Sequence, residues 1–214
     1  MSRSERTGNR KTREQRHLKK APELGYYLIV TDTEKTEENY FNSIRSSIPE
    51  ILQKNLVIKV VKTRTRNLID KCLELTAYEA QYRIPWIIFD RDQVVNFDEI
   101  IDEAKRKGIE VGWSNPCMEI WLFAYFGAIP PCMGSVKCCS EFAALYEKKT
   151  GQKYSKASMD IYDKLCKYGN EEKAIELAKM KMEQHLRDGK IKPSEMCPAS
   201  TVYELVQEIK RKLE

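Results

Sequence analysis

Four short runs of this sequence are apolar almost from end to end, and each is followed by a stretch of different periodicity. The runs cover residues 26–30 (Tyr-Tyr-Leu-Ile-Val), 56–62, 85–90 (Pro-Trp-Ile-Ile-Phe-Asp) and 109–113. A strand that is apolar on both faces must be covered on both, the condition met in parallel sheets wrapped by crossover helices. Between the runs, helical spacing is expected at about 34–46, 67–81 and 97–107. The second of these places Leu68, Cys72 and Leu75 on one stripe with Ile69 and Thr76 beside it, and Gly108 ends the third. Right-handed crossovers then narrow the topology. The expected fold class is α/β: a Rossmann-like, mostly parallel four-stranded sheet flanked by helices. Beyond Pro131 the pattern changes. Helices are expected near 140–149, 158–168, 171–187 and 200–213, with no strand evident, as a C-terminal helical subdomain packed on the sheet. No internal repeat is visible. The chain thus divides into residues 1–22, 23–130 and 131–214.

Charge is distributed unevenly. Residues 1–20 hold eight cations (Arg3, Arg6, Arg10, Lys11, Arg13, Arg16, Lys19 and Lys20) against Glu5 and Glu14, a net +6. The whole chain carries +5, so the remainder is close to neutral at −1. A basic arm of this kind is expected to stay flexible until a polyanion or a partner docks. Nucleic acid is the obvious polyanion, because each neutralised phosphate releases counterions. A merely solubilising tail is the competing reading. No apolar run approaches the ~18 residues needed to span a bilayer, and the polar N-terminus has no signal-peptide core. Seven cysteines, an odd number without a Cys-x-x-Cys pair, read as reduced thiols of a cytoplasmic protein. Cys132, Cys138 and Cys139 lie close together, but no histidine is nearer than His185, and a metal site is not expected there.

Ligands of an open parallel sheet bind beyond the carboxyl ends of its strands, so the residues that follow each run are the informative ones. After the first come Asp32 and Glu34, with Glu37 one turn on. After the second comes the basic stretch Lys62, Thr63, Arg64, Thr65, Arg66. After the third come Asp90, Arg91 and Asp92. After the fourth come Ser114, Asn115, Pro116, Cys117, Met118 and Glu119. Three edges carry acids and one carries cations. Crowded carboxylates repel unless a cation joins them or one keeps its proton. Hard oxygen ligands suit Mg²⁺ or Mn²⁺, and such ions activate water and stabilise the leaving oxygen of a phosphodiester. Arg64 and Arg66 would then contact flanking phosphates.

Each residue also has a plainer role open to it. Asp32 can cap the following helix, Asp-x-Asp can make a turn, and residues 62–66 can be a solvated loop. Glu119 can be a surface residue, although Met118, Ile120, Trp121 and Leu122 around it look buried, and a carboxylate among them needs a partner. What distinguishes the set is its convergence on one predicted edge. His17 and His185 lie far from that edge, which argues against a histidine general base. With nine glycines and neither a G-x-x-x-x-G-K-[ST] nor a G-x-G-x-x-G loop, nucleotide binding has no motif here; ATP, if used, belongs to another subunit.

The same residues carry a family resemblance. Residues 30–41 (Val-Thr-Asp-Thr-Glu-Lys-Thr-Glu-Glu-Asn-Tyr-Phe) resemble the first motif of the RloB-like proteins, roughly Val-Cys-Glu-Gly-x-x-Thr-Glu-x-x-Tyr-Phe. Phe89-Asp90-Arg91-Asp92 resembles the second. Residues 114–122 (Ser-Asn-Pro-Cys-Met-Glu-Ile-Trp-Leu) resemble the third, Ser-Asn-Pro-x-Phe-Glu-x-Trp-Leu, which is the most specific. Residues 197–202 resemble the C-terminal Asn-Pro-x-Ser-Thr-Val. The likeness spans about 24–213 and implies a Toprim-like fold, in which an acid after the first strand and Asp-x-Asp after the third bind Mg²⁺. It further implies a place in restriction loci and phage defence, often beside an ATPase gene. The sequence departs from the family at Asp32 (usually glutamate), Thr33 (glycine), Met118 (phenylalanine) and Tyr125 (often histidine).

Together these readings lead to a Mg²⁺- or Mn²⁺-dependent Toprim-type nuclease of a bacterial defence system. Asp32, Asp90, Asp92 and Glu119 would be its catalytic and metal-binding residues, joined at the metal by Glu37. Lys62, Arg64 and Arg66, with Arg13, Arg16, Lys19 and Lys20 of the arm, would contact nucleic acid. The partners expected are DNA or RNA and an ATPase encoded nearby, without a membrane, and with homo-oligomerisation left open. The rival reading is a non-catalytic module that binds nucleic acid or the ATPase through a degenerate metal site. A phosphotransferase or a primase-like polymerase is a third reading.

Overall fold

The strand order is β2-β1-β3-β4-β5 in a single five-stranded sheet. In the computed structural model, which describes residues 24–32, 35–61, 63–78, 83–92, 94–132 and 134–213, β1 (Tyr26–Thr31), β2 (Leu56–Val60), β3 (Arg83–Asp90) and β4 (Glu110–Asn115) run parallel. A fifth strand, β5 (Ala199–Ser200), pairs antiparallel with β4. This α/β, mostly parallel, helix-flanked sheet is the architecture expected from the apolar runs. The fifth strand is an addition to it. Two residues are too short to show a period, and β5 is held by long-range bonds instead. The Thr201 amide donates to the Trp113 carbonyl at 2.8 Å, and the Trp113 amide donates to Thr201 Oγ1 at 3.0 Å.

The helices are α1 (Thr36–Ser47), a short α2 (Glu50–Gln53), α3 (Leu68–Tyr78), α4 (Phe97–Arg106), α5 (Glu119–Tyr125), α6 (Ser135–Thr150), α7 (Ile161–Tyr168), α8 (Glu171–Arg187) and α9 (Val202–Leu213). Helix α6 starts at Ser135 rather than near 140. No helix among the described residues is long and apolar enough to cross a membrane.

Successive strand residues point to opposite faces, and both faces are covered. Tyr27 and Ile29 of β1 and Trp86 and Ile88 of β3 join a core with Tyr40, Phe41, Trp121, Phe142, Leu165 and Leu205. Leu28, Val30, Ile87 and Phe89 face the other way, onto Leu68, Ile69 and Cys72 of α3 and Phe97, Ile100, Ile101 and Ala104 of α4. There Phe97 packs edge-on against both Phe89 and Trp113, at centroid distances of 5.4 and 5.8 Å. Each fully buried large side chain is worth about 1.5–3 kcal/mol of transfer free energy. The helices after Pro131 contribute to the same apolar cluster as β1 and β3.

Gly169 joins three of these helices. Its amide donates to the Leu165 carbonyl of α7 at 2.9 Å, and the next amide, Asn170, donates to the Tyr125 carbonyl of α5 at 2.9 Å. Asn170 then caps α8 by accepting from the Lys173 amide at 2.8 Å. A Cβ on Gly169 would sit 2.5 Å from the Tyr125 oxygen and 2.8 Å from the Leu165 oxygen. Close backbone approach therefore requires glycine here.

The chain leaves β1 toward β2 on one side and returns to β3 on the other. This reversal opens a crevice at the carboxyl ends of β1 and β3. The register pairs Thr31 with Ile88, so Asp32 and Asp90 leave adjacent strands at nearly the same height.

Candidate functional site

A cleft of about 1690 Å³ lies at that crevice, and Asp32, Glu37, Asp90, Asp92, Arg64 and Arg66 all line it. Asp90 ends β3. The Met118 amide donates to its Oδ2 at 3.0 Å, one of three bonds between this strand end and the end of β4 with the loop that follows it. The others run from the Arg91 amide to the Ser114 carbonyl (2.8 Å) and from the Asp92 amide to the Pro116 carbonyl (3.1 Å). Burial pushes the Asp90 carboxyl well above the usual carboxylate range. The negative charges of Glu37 and Glu119 push it further, and a hydrogen bond between the Glu37 and Asp90 carboxyls adds to the effect. Glu37 reaches Asp90 because it sits in the first turn of α1 with its side chain directed inward, 3 % exposed.

Asp32 and Asp92 line the same cleft with other neighbours. Thr65 donates its hydroxyl to Asp32 Oδ2 at 2.5 Å. Burial raises the Asp32 carboxyl, and this hydrogen bond partly offsets the rise. Thr65 opens a 3-10 turn (Thr65–Asn67), so the bond ties the basic loop to the acidic edge and leaves Arg64 and Arg66 exposed beside the cleft. Ser135, the first residue of α6, donates its hydroxyl to Asp92 Oδ1 at 2.8 Å. Lys62, Glu34, Arg13, Arg16, Lys19 and Lys20 lie outside the described residues.

Glu119 is fully buried at the start of α5, a helix whose every residue is buried. Burial alone would raise its carboxyl. The Lys156 ammonium, 2.9 Å from Oε1, reverses that and holds the group below the usual range. Tyr154 donates its hydroxyl to the same oxygen at 3.1 Å. Apolar neighbours of Glu119 in the sequence show that a partner is needed, but not that Lys156 supplies it, because Lys156 lies in a loop without periodicity. Ser135 and Thr65 each open a helical segment, and nothing in the sequence marks which distant carboxylate their hydroxyls meet. Glu37, and not Asp32, is the acid from the first strand's side that acts on Asp90, since helical direction rather than proximity to the strand end aims it. His185 is remote: its Nε2 pairs with the Pro198 carbonyl at 3.0 Å.

The match of a family model described as RloB-like protein extends over residues 27–209. The chain belongs to the RloB-like family. Searches of curated proteins and of solved structures find no match. In this RloB-like protein the four motif segments meet at one end of the sheet. The second and third are joined by the bonds from Arg91, Asp92 and Met118 described above. The third and fourth are joined by the β4–β5 ladder and by Ser114 Oγ, 3.0 Å from Ser200 Oγ.

The carboxyl pair predicts a pH signature. A raised folded-state value means that folded protein keeps a proton the unfolded chain has lost. The stability contributed by Asp90 is therefore fully present below the ordinary value of 3.8 and is lost as pH rises through the folded-state value. Urea unfolding in EDTA, run from about pH 4 to about pH 8, should show this falling limb in the wild type. Asp90→Asn should flatten it; an equally steep limb in the variant would refute the assignment.

Proposed function

We propose that this RloB-like protein is a Toprim-type, divalent-metal-dependent nuclease that cleaves phosphodiester bonds. One observation carries the reading: Asp90 and Glu37 bring two carboxyls into hydrogen-bond contact within the field of Glu119, in a cleft edged by arginines. Carboxyls so placed share a proton or a cation. The carboxylate oxygens of Asp90, Glu37, Asp32 and Asp92 are hard donors of the kind that suit Mg²⁺ or Mn²⁺. Asp90 and Glu37 would hold the ion, Asp32 and Asp92 would complete the oxygen set from either side, and Glu119 would add its charge. When bound, the ion supplies Lewis acidity to a phosphoryl oxygen and lowers the pKa of water.

The protein's own contribution is placement. Thr65 fixes Asp32, Ser135 fixes Asp92, and the Met118 amide fixes Asp90. Arg64 and Arg66 would seat the flanking phosphates and fix the strand along the cleft. A role in phage defence with an ATPase as partner follows from the family resemblance, and a cytoplasmic location from the free cysteines. The rival, a site that binds metal and nucleic acid without turnover, is favoured by the Thr65 bond to Asp32, which occupies one oxygen of a carboxylate already shorter than the family glutamate.

Incubation of the purified chain with plasmid DNA and with tRNA, with and without Mg²⁺, decides between them. Cleavage that appears only with the ion supports the nuclease. Metal-dependent binding with no cleavage of either substrate supports the module. If cleavage occurs, Arg64→Glu with Arg66→Glu should raise KM about tenfold or more and make binding less salt-dependent, with a smaller change in kcat. Unaltered KM and salt slope would remove these arginines from the nucleic-acid path.

A further inference from the structure

A second cluster sits on the wall of the cleft and is chemically unlike the first. Sγ of Cys117, Sγ of Cys139 and a carboxylate oxygen of Glu119 all lie within 4.8 Å of one another. The two sulfurs are 4.0 Å apart. All three groups are buried or half-buried, and both cysteines are free thiols. Glu119 Oε1 is taken by Lys156 and Tyr154, whereas its Oε2 is buried without a well-formed hydrogen bond, the weakly donating Cys117 thiol being the further group that acts on the carboxylate. A buried carboxylate oxygen so weakly satisfied is uncommon and calls for an explanation.

From this geometry we infer that Cys117, Cys139 and Glu119 form a binding site for a thiophilic divalent cation of the Zn²⁺ class, separate from the oxygen site at Asp90. Tetrahedral Zn²⁺ with Zn–S bonds of about 2.3 Å sets its sulfurs about 3.8 Å apart, so the observed spacing needs only a small adjustment. Glu119 Oε2 supplies the third ligand. Cys117 and Cys139 both line the cleft, so the fourth position opens onto it and takes water. Binding releases the two thiol protons to solvent and leaves two thiolates and one carboxylate around the ion, a net charge of −1. Lys156, half-exposed and already drawn toward both Glu119 and Cys139, balances that charge. Of the other nearby cysteines, Cys132 donates to Glu141 Oε2 at 3.2 Å and Cys197 donates to the Cys132 carbonyl at 3.2 Å, while the buried Cys138 thiol sits between Cys117 and Cys132. The two sites share Glu119, but the two sulfur ligands play no part in the oxygen set, so thiolate absorption reports this site separately from cleavage.

Co²⁺ provides a spectroscopic probe. The full chain, titrated anaerobically with a non-thiol reductant present, should bind one Co²⁺ with near-ultraviolet thiolate-to-metal charge-transfer absorption and tetrahedral visible bands. Zn²⁺ should bleach both, and millimolar Mg²⁺ should bleach neither. Cys139 is only half-buried, so Cys139→Ser should fold as the wild type does by far-ultraviolet circular dichroism. It should roughly halve the charge-transfer intensity and weaken Co²⁺ binding about tenfold or more. Asp90→Asn with Asp92→Asn should keep the absorption. A wild type without charge-transfer absorption, or a Cys139→Ser spectrum equal to the wild type's, would overturn the site.

Discussion

Replacing Asp90 and Asp92 together by asparagine is expected to lower Mg²⁺-dependent cleavage by about 10²- to 10³-fold while leaving the protein folded. The substitution keeps shape and removes charge. Asp90 is the residue on which the surrounding field converges: it accepts the Met118 amide, meets the Glu37 carboxyl and feels Glu119. An asparagine there can still accept from Met118, and it no longer repels its neighbours. The metal-free double variant should therefore be at least as stable as the wild type at neutral pH. Two readouts check this: initial rates on a cleaved substrate, and thermal unfolding in EDTA. Cleavage at wild-type rate would eliminate the proposed site. Loss of cleavage together with loss of the native circular dichroism spectrum would mean that Asp90 is structural instead. The same variant titrated with Mn²⁺ by calorimetry should give a flat trace where the wild type gives heat.

Gly169→Ala is expected to be the most damaging single methyl group in the C-terminal half. Its backbone conformation, with φ near −129°, is one that alanine adopts freely, so the penalty does not come from the dihedral angles. It comes from backbone oxygens of α5 and α7 at 2.5 and 2.8 Å from the added carbon. Neither oxygen belongs to a flexible side chain that can turn aside. Helix α7 must move away from α5, and with it goes the Asn170 amide bond to Tyr125. Overpacking of this kind costs about 3 kcal/mol at the upper end of its usual range, which for a chain of this size lowers Tm by roughly 6–12 °C. Differential scanning calorimetry reads the shift. A Tm within a degree of wild type would show that the three-helix junction yields easily.

The parallel sheet was legible because burial on both faces leaves a mark on every residue of a strand. The runs at 26–30 and 85–90 could not have been solvent-facing on either side. β5 was not legible, since Ala199 and Ser200 are too few to carry a pattern and their pairing with Asn115 and Ser114 depends on distant bonds. The acidic edge was legible as a set, because strand order brings the residues after each strand to one end. Which acids actually touch was not. Asp32 stands nearer β1 in sequence than Glu37 does, yet the first turn of α1 delivers Glu37 to Asp90 and the Thr65 hydroxyl draws Asp32 aside. The meeting of Cys117 with Cys139 was hidden for a related reason. One follows β4 and the other lies on α6, and only the docking of α6 against that loop brings the two sulfurs together.

The fastening of β4 by Thr201, 88 positions further along the chain, has a consequence for how the protein is made. On the ribosome, the segment bearing Asn115, Met118 and Glu119 is synthesised long before the residues that clamp it. A nascent chain therefore carries every acid of the cleft without the frame that aligns them. That frame closes only after residues 199–201 have left the exit tunnel, so the acidic edge is aligned late in synthesis.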